Sequence, residues 1–309
     1  MFLPPDRFLI VYVASSIIMA VLSPVAVVGN ALILTVIWKK TFQRTTFHIL
    51  LSGLAMSDLC TGLFAEPLVA GSVLVLLSRP KTVADRLTLF IAIKAIGDAV
   101  TTYFLFLTLF LISLMSVERW LHMSQQTLMT SRRRCLTATV ILLLPSPLAV
   151  LRFLSTTNRI YEDELNISLV GLTSVCILIT SVAYCNVLRI IRRHQQHVQA
   201  NAPSQNFGQP AINLAKYKKS VFTILYILAL FYFSFLPLEI ATGVYLHVGS
   251  DSQAIWAFLY ACLALLFLSS SLNPFLYLWR MNDVRNGVKM LFCSNSKRRS
   301  KANSDLSSL

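Results

Sequence analysis

Inside long apolar stretches the chain carries a few side chains capable of ionic chemistry. Asp58 lies in "LAMSDL", Asn30 in "VVGNAL", Glu118 and Arg119 in "SVERW", and Asn273, Pro274 and Tyr277 in "SSSLNPFLY". Glu66, Asp98 and Glu239 are further acids in similar surroundings. No His, Cys or carboxylate set has the spacing of a metal centre or a nucleophile triad, so an enzyme is not expected. What remains is charge pairing, hydrogen bonding and cation binding. A charged or amide group in an apolar medium is costly and turns inward, which makes each of these residues a functional candidate. Each also has a plain structural use: Asn30 as a bond between helices, Pro274 as a kink, Glu118–Arg119 as an interfacial pair reaching water.

The elements that must hold these groups are legible from composition. Apolar residues make up 56% of the 309 and charged residues only 13%, against roughly 25% charged in an ordinary soluble domain. Seven apolar runs, about 8–38, 48–77, 87–121, 135–154, 167–191, 220–248 and 254–279, are each long enough to cross a bilayer as a helix. Short alternating strands of a barrel are absent, so the expected fold is an all-α membrane protein, a seven-transmembrane helix bundle. Pro145 and Pro147 are expected to bend or stop the fourth helix. The first run is far too long for the apolar core of a signal peptide. After the seventh, "DVRNGVKMLFC" puts Val284, Val288 and Leu291 on one face, a short amphipathic helix at 283–293 weakened by Asn286-Gly287. The membrane domain thus spans 1–293, and 294–309 is expected to be a disordered tail. Residues 192–219, rich in Gln, Asn and Pro, resemble a flexible linker.

The net charge of +14 reports topology. Twenty of the 27 basic residues fall on one side of the spans, which by the positive-inside rule puts the N-terminus outside and the C-terminus in the cytoplasm of a multi-pass plasma-membrane protein. Their partner is anionic membrane lipid, and no nucleic acid is expected. No cysteine falls in an outer loop, so no extracellular disulfide is expected. The sequon Asn166-Ile167-Ser168 reads as an outer-loop glycosylation site, and Cys293 as a palmitoylation site.

Taken together and in this order, the marks resemble the rhodopsin-like (class A) family of G-protein-coupled receptors. Asn30, "LAMSD", "ERW" for the usual D/E-R-Y, Pro237 and "NPFLY" carry the resemblance over nearly the whole chain. The resemblance implies that Arg119 pairs with Glu118 at rest, beside Trp120, and on activation meets a heterotrimeric G protein. Tyr184 and Tyr277 match the tyrosines that then swing toward it, while Phe231, Phe235 and Pro237 in "FYFSFLP" stand where the toggle belongs, Phe235 replacing its tryptophan. The base of the sixth helix reads "AKYKKS", so an acidic second brace for the arginine is missing and appreciable ligand-free signalling is expected. Asp58 looks like the family's sodium carboxylate, with Asn30, Thr108, Ser269, Ser270 and Asn273 as oxygen-bearing neighbours for an allosteric Na+; the alternative is a protonated Asp58 held by hydrogen bonds. Tail serines such as Ser294 and Ser300 fit receptor-kinase marking and arrestin binding.

Helical period gives the ligand side. Arg119 and Thr101 are 18 residues apart, five full turns, and so share a face. Thr101 would line an outer cavity with Asp98, Glu66, Glu239, Tyr245 and Tyr260, although Glu66 and Asp98 could instead pair with Lys94. Acids there favour a ligand with a positive group. Thr101 stands where aminergic receptors carry an aspartate, and the seventh helix lacks the lysine that retinal needs. The missing cysteines and Cys176 in place of a common proline resemble the melanocortin, lipid and cannabinoid receptor group. A short peptide or other cationic extracellular ligand is expected first, a lipid second. Polar groups inside helices also fit a transporter or channel, the alternative function.

Overall fold

The computed structural model describes residues 6–39, 46–77, 83–124, 139–158, 161–200, 209–248 and 252–291. Among them there is no β-strand. Eight helices follow in order: α1 (Asp6–Ile37), α2 (Thr46–Leu77), α3 (Val83–Met123), α4 (Thr139–Asn158), α5 (Glu162–Ala200), α6 (Gln209–Val248), α7 (Gln253–Arg280) and α8 (residues 282–291). The first seven are long and apolar enough to cross a membrane. Helices satisfy every backbone group internally, which a segment surrounded by hydrocarbon must do.

The burial pattern inverts that of a soluble protein. Large apolar side chains point outward: on α4, Leu142, Leu143, Val150 and Leu151 are each more than half exposed. Asn30, Ser57, Asp58, Glu66 and Ser116 are sealed inside. The helices form a ring in which α1 packs on α2 and α7, α7 on α6, α6 on α5, and α3 runs through the middle against α2, α4 and α5. The main core follows α3, with Leu51, Leu54, Phe106, Met115, Phe235 and Tyr277 among its buried members. A smaller core joins α1, α2 and α7 around Tyr12, Met19 and Phe267.

Several boundaries differ from the expected ones. The helices α5 and α6 continue beyond their apolar runs, to Ala200 and from Gln209, because straight-chain polar residues propagate a helix without lipid contact. Of the linker expected at 192–219, only 201–208 lies outside the described residues. The fourth helix sits later than the expected 135–154, reaching Asn158. Its turn at 144–145 is the break expected of Pro145, after which the chain resumes helix from Ser146. In α2, a π turn at Thr61–Ala65 changes the helical register just past Asp58.

The surface helix α8 follows extended backbone at Met281. Its Val284 is fully buried, and any side chain at position 287 would collide with Val36 of α1. Gly287, the weak point of the sequence pattern, is therefore what lets α8 lie against α1. Cys293 and the tail serines lie outside the described residues. The 41-residue α3 places Lys94 and Arg119 at opposite ends of the bundle, which gives the ends their labels below.

Candidate functional site

The middle of the bundle is built around a proline. Pro274 has no N–H, so the carbonyl of Ser270, four residues earlier, loses its helical donor. The amide of Asn30 supplies one, donating at 3.1 Å to Ser270 O and at 2.9 Å to Ala26 O of its own helix. Gly29 allows the approach, since a Cβ there would stand 2.8 Å from Pro274 Cγ. One residue before the proline, Asn273 Nδ2 donates to Asp58 Oδ2 at 2.7 Å, with both side chains buried. Asn30, Asp58, Ser270 and Asn273 are thus brought together. Thr108 meets Ser57 of α2 at 2.9 Å, and the Ser269 hydroxyl donates to Leu266 O of its own helix at 2.7 Å. Thr108, Ser269 and Ser270 line one small cavity of about 30 Å³ with Phe231 and Phe235.

Above it, toward the Lys94 end, lies a cavity of about 160 Å³. Thr101 borders both. Of the residues expected in this larger cavity, Asp98, Thr101, Glu239 and Tyr260 line it. Two do not. Glu66 follows the π turn, whose altered register carries its carboxylate away from the cavity into the interior, where neither oxygen has a partner among the described residues. Tyr245 stands behind the lining, edge-on to Trp256 with ring centres 5.3 Å apart. Asp98 pairs with Lys94, one turn earlier, at 2.5 Å, and accepts a 3.3 Å bond from Thr156 Oγ1. Asp98 therefore both lines the cavity and pairs with Lys94, as each of the two sequence readings had it.

The sequence reading missed Lys94, Arg152, Asn166 and Trp256 as lining residues. Arg152 donates to Asn166 Oδ1 at 2.7 Å. This corrects the glycosylation expectation: Asn166 lies within α5, not in a loop, and its buried amide faces the cavity, leaving no room for a glycan. The four cysteines among the described residues, Cys60, Cys176, Cys185 and Cys262, are free thiols.

At the other end, Glu118 Oε2 lies 3.9 Å from Arg119 Nε, ion-pair rather than hydrogen-bond distance. The Arg119 guanidinium stacks over the ring of Phe47, 4.3 Å from its centre, a contact from α2 that the sequence reading did not foresee. Trp120 is half-buried against the main core. Tyr184 and Tyr277 are buried in that core, the Tyr277 hydroxyl without a hydrogen bond among the described residues. In α6, the rings of Phe231 and Phe235 pack with centres 4.7 Å apart, six and two residues before Pro237. Tyr232 OH meets Ser181 Oγ at 2.9 Å and ties α6 to α5. Arg280 lies among the rings of Phe222, Tyr226 and Trp279, its guanidinium carbon 5.4–5.9 Å from their centres, joining the Arg119 ends of α6 and α7.

Comparison with known proteins agrees with this arrangement. The neuropeptides B/W receptor type 2 of Bos taurus is similar to this chain, 26% identical over 314 residues that cover 92% of the chain and 87% of the relative. Residues 29–277, from the glycine against Pro274 to the buried Tyr277, match the family described as 7 transmembrane receptor (rhodopsin family). With seven membrane-length helices carrying Asp58 against Asn273 and an Arg119–Glu118 pair at one end, the chain belongs to the rhodopsin family of seven-transmembrane receptors.

Proposed function

We propose that this receptor sits in the plasma membrane with its Lys94 end outside, binds a short extracellular peptide in the 160 Å³ cavity, and activates a heterotrimeric G protein at its Arg119 end. The observation that carries the reading is the buried Asp58–Asn273 bond, which lies between the cavity and the Arg119–Glu118 pair. The orientation rests on the side-biased basic residues, and the peptide on the similarity to a neuropeptide receptor. A positive group of the peptide meets Glu239, whose Oε2 is buried and unpartnered and which lies two residues from the hinge at Pro237. Closure on that group biases α6 between two packings. Phe235 then repacks on Phe231, Tyr184 and Tyr277 turn toward Arg119, and Arg119 leaves Phe47 and Glu118 for the G protein. With no acid at the base of α6, resting activity is appreciable.

The chemistry near Asp58 fits a sodium ion: a buried carboxylate and the free Oδ1 of Asn30 stand with Ser270, which with Thr108 and Ser269 lines a cavity large enough for one small ion or water. When bound, Na+ supplies positive charge that favours the ionised carboxylate in the resting packing. At the tail, Cys293 carries a lipid anchor and the serines are marked by a receptor kinase for arrestin.

Full-length receptor in cell membranes should catalyse guanine-nucleotide exchange on a G protein when given neuropeptide B- or W-like peptides. Arg119→Ala should abolish exchange while peptide binding persists. Exchange that survives Arg119→Ala, or solute flux without exchange, would refute the reading.

A further inference from the structure

The cavity is not acidic, as its sequence-visible carboxylates suggest, but balanced. Its charged lining residues are Lys94, Asp98, Arg152 and Glu239. Lys94 and Asp98 neutralise each other at 2.5 Å. That leaves one cation and one anion without a charged partner among the described residues. Arg152, from α4, spends one N–H on a neutral acceptor, Asn166 Oδ1 at 2.7 Å. Glu239, from α6, keeps a buried Oε2 with no donor. The rest of the lining mixes Leu105, Leu169, Leu238 and Leu263 with neutral hydroxyls such as Thr101, Thr173 and Thr242, and supplies no further charge. Charges facing such a lining without a counter-charge are poorly solvated, and the guanidinium's remaining donors form the fork that fits a carboxylate.

Resting on the peptide-receptor reading, we infer that the ligand presents a carboxylate to Arg152 as well as a positive group to Glu239, and that in a peptide this carboxylate is the free C-terminus. The size agrees. A cavity of about 150 Å³ holds a benzene-sized group, so 160 Å³ admits one terminal residue and its end group, not a folded peptide. The C-terminal side chain lies against the leucines, its carboxylate forks onto Arg152, and the residue before it carries the positive group that meets Glu239. An amidated C-terminus would leave Arg152 with a neutral partner only. A purely cationic ligand would meet Glu239 and find Arg152 repulsive.

The test is thermal stabilisation of the purified full-length receptor by glycyl-leucine, glycyl-leucinamide and N-acetyl-glycyl-leucine at millimolar concentration. The free acid should half-stabilise at a concentration roughly tenfold or more below that of the amide, the usual effect of a charge-assisted bond. Arg152→Gln, which can still reach Asn166, should erase that gap, and Arg152→Lys should keep part of it. Glu239→Gln should erase the preference for the free amine over the acetylated form and leave the acid-over-amide gap in place. Equal stabilisation by acid and amide, a gap that survives Arg152→Gln, or no stabilisation by any of the three overturns the inference. Peptide-driven nucleotide exchange that ignores C-terminal amidation would end this inference and leave the receptor reading intact. Longer free-acid peptides that bind through Arg152 yet drive no exchange on any G protein would end the signalling reading and leave the carboxylate site in place.

Discussion

Asp58 and Asn273 are far apart in sequence and 2.7 Å apart in space, so each one's cost of burial depends on the other. Asp58→Ala removes the acceptor and leaves a buried amide unsatisfied, which costs about 1–3 kcal/mol. The variant should unfold several degrees lower in a thermal melt of purified receptor. Asp58→Asn keeps the shape and most of the stability but removes the charge. Peptide affinity, which in the native receptor should weaken when sodium replaces choline in the buffer, should then ignore the exchange. That the interior would hold Asp58 and Asn273 was legible because no such residue is tolerated against lipid. That Asn30 serves the carbonyl orphaned by Pro274 was not, since nothing in the spacing of residues 30 and 270 registers a contact between α1 and α7.

Helices meet where side chains are small enough to permit it. Gly29 against Pro274 is the close point of α1 and α7, and Gly29→Leu would drive a branched side chain into the ring. Overpacking of that kind costs about 1–3 kcal/mol and also pushes Asn30 off the Ser270 carbonyl. Lower surface expression and a lower melting temperature should follow together. Between α6 and α7, Arg280 among Phe222, Tyr226 and Trp279 holds the Arg119 ends of the two helices closed, in a place where the basic base of α6 offers no acidic brace. Cation–π contacts at such exposed rings amount to about 0.5–1 kcal/mol each. Tyr226→Ala should accordingly raise ligand-free nucleotide exchange about two- to fivefold, measured at matched receptor density, whereas Tyr226→Phe should leave it unchanged. The π turn of α2 belongs to this scale too. It turns Glu66 out of the cavity, and a 3.6-residue period drawn through Asp58 cannot register an extra residue in one turn.

For the molecule as a whole, the orientation is the property that the charge distribution predicts most directly. An epitope tag at Met1 should bind antibody on intact cells, and a tag after Leu309 only after permeabilisation; the opposite pattern would invert every assignment of inside and outside made above. The sequence by itself determined the seven spans, the all-helical class, the family and the inward-facing polar residues. Those follow from local composition and from one rule, that hydrocarbon accepts neither bare backbone nor charge, which acts on each segment separately. Only the tertiary structure decided partners. Lys94 chose Asp98, Arg119 stacked on Phe47, Tyr245 withdrew behind Trp256, and Arg152 with Asn166 turned an apparently acidic cavity into one with a positive wall. Each outcome depends on how one helix is rotated and set against another, and that rotation comes from side-chain packing summed over the bundle rather than from any stretch that can be read alone.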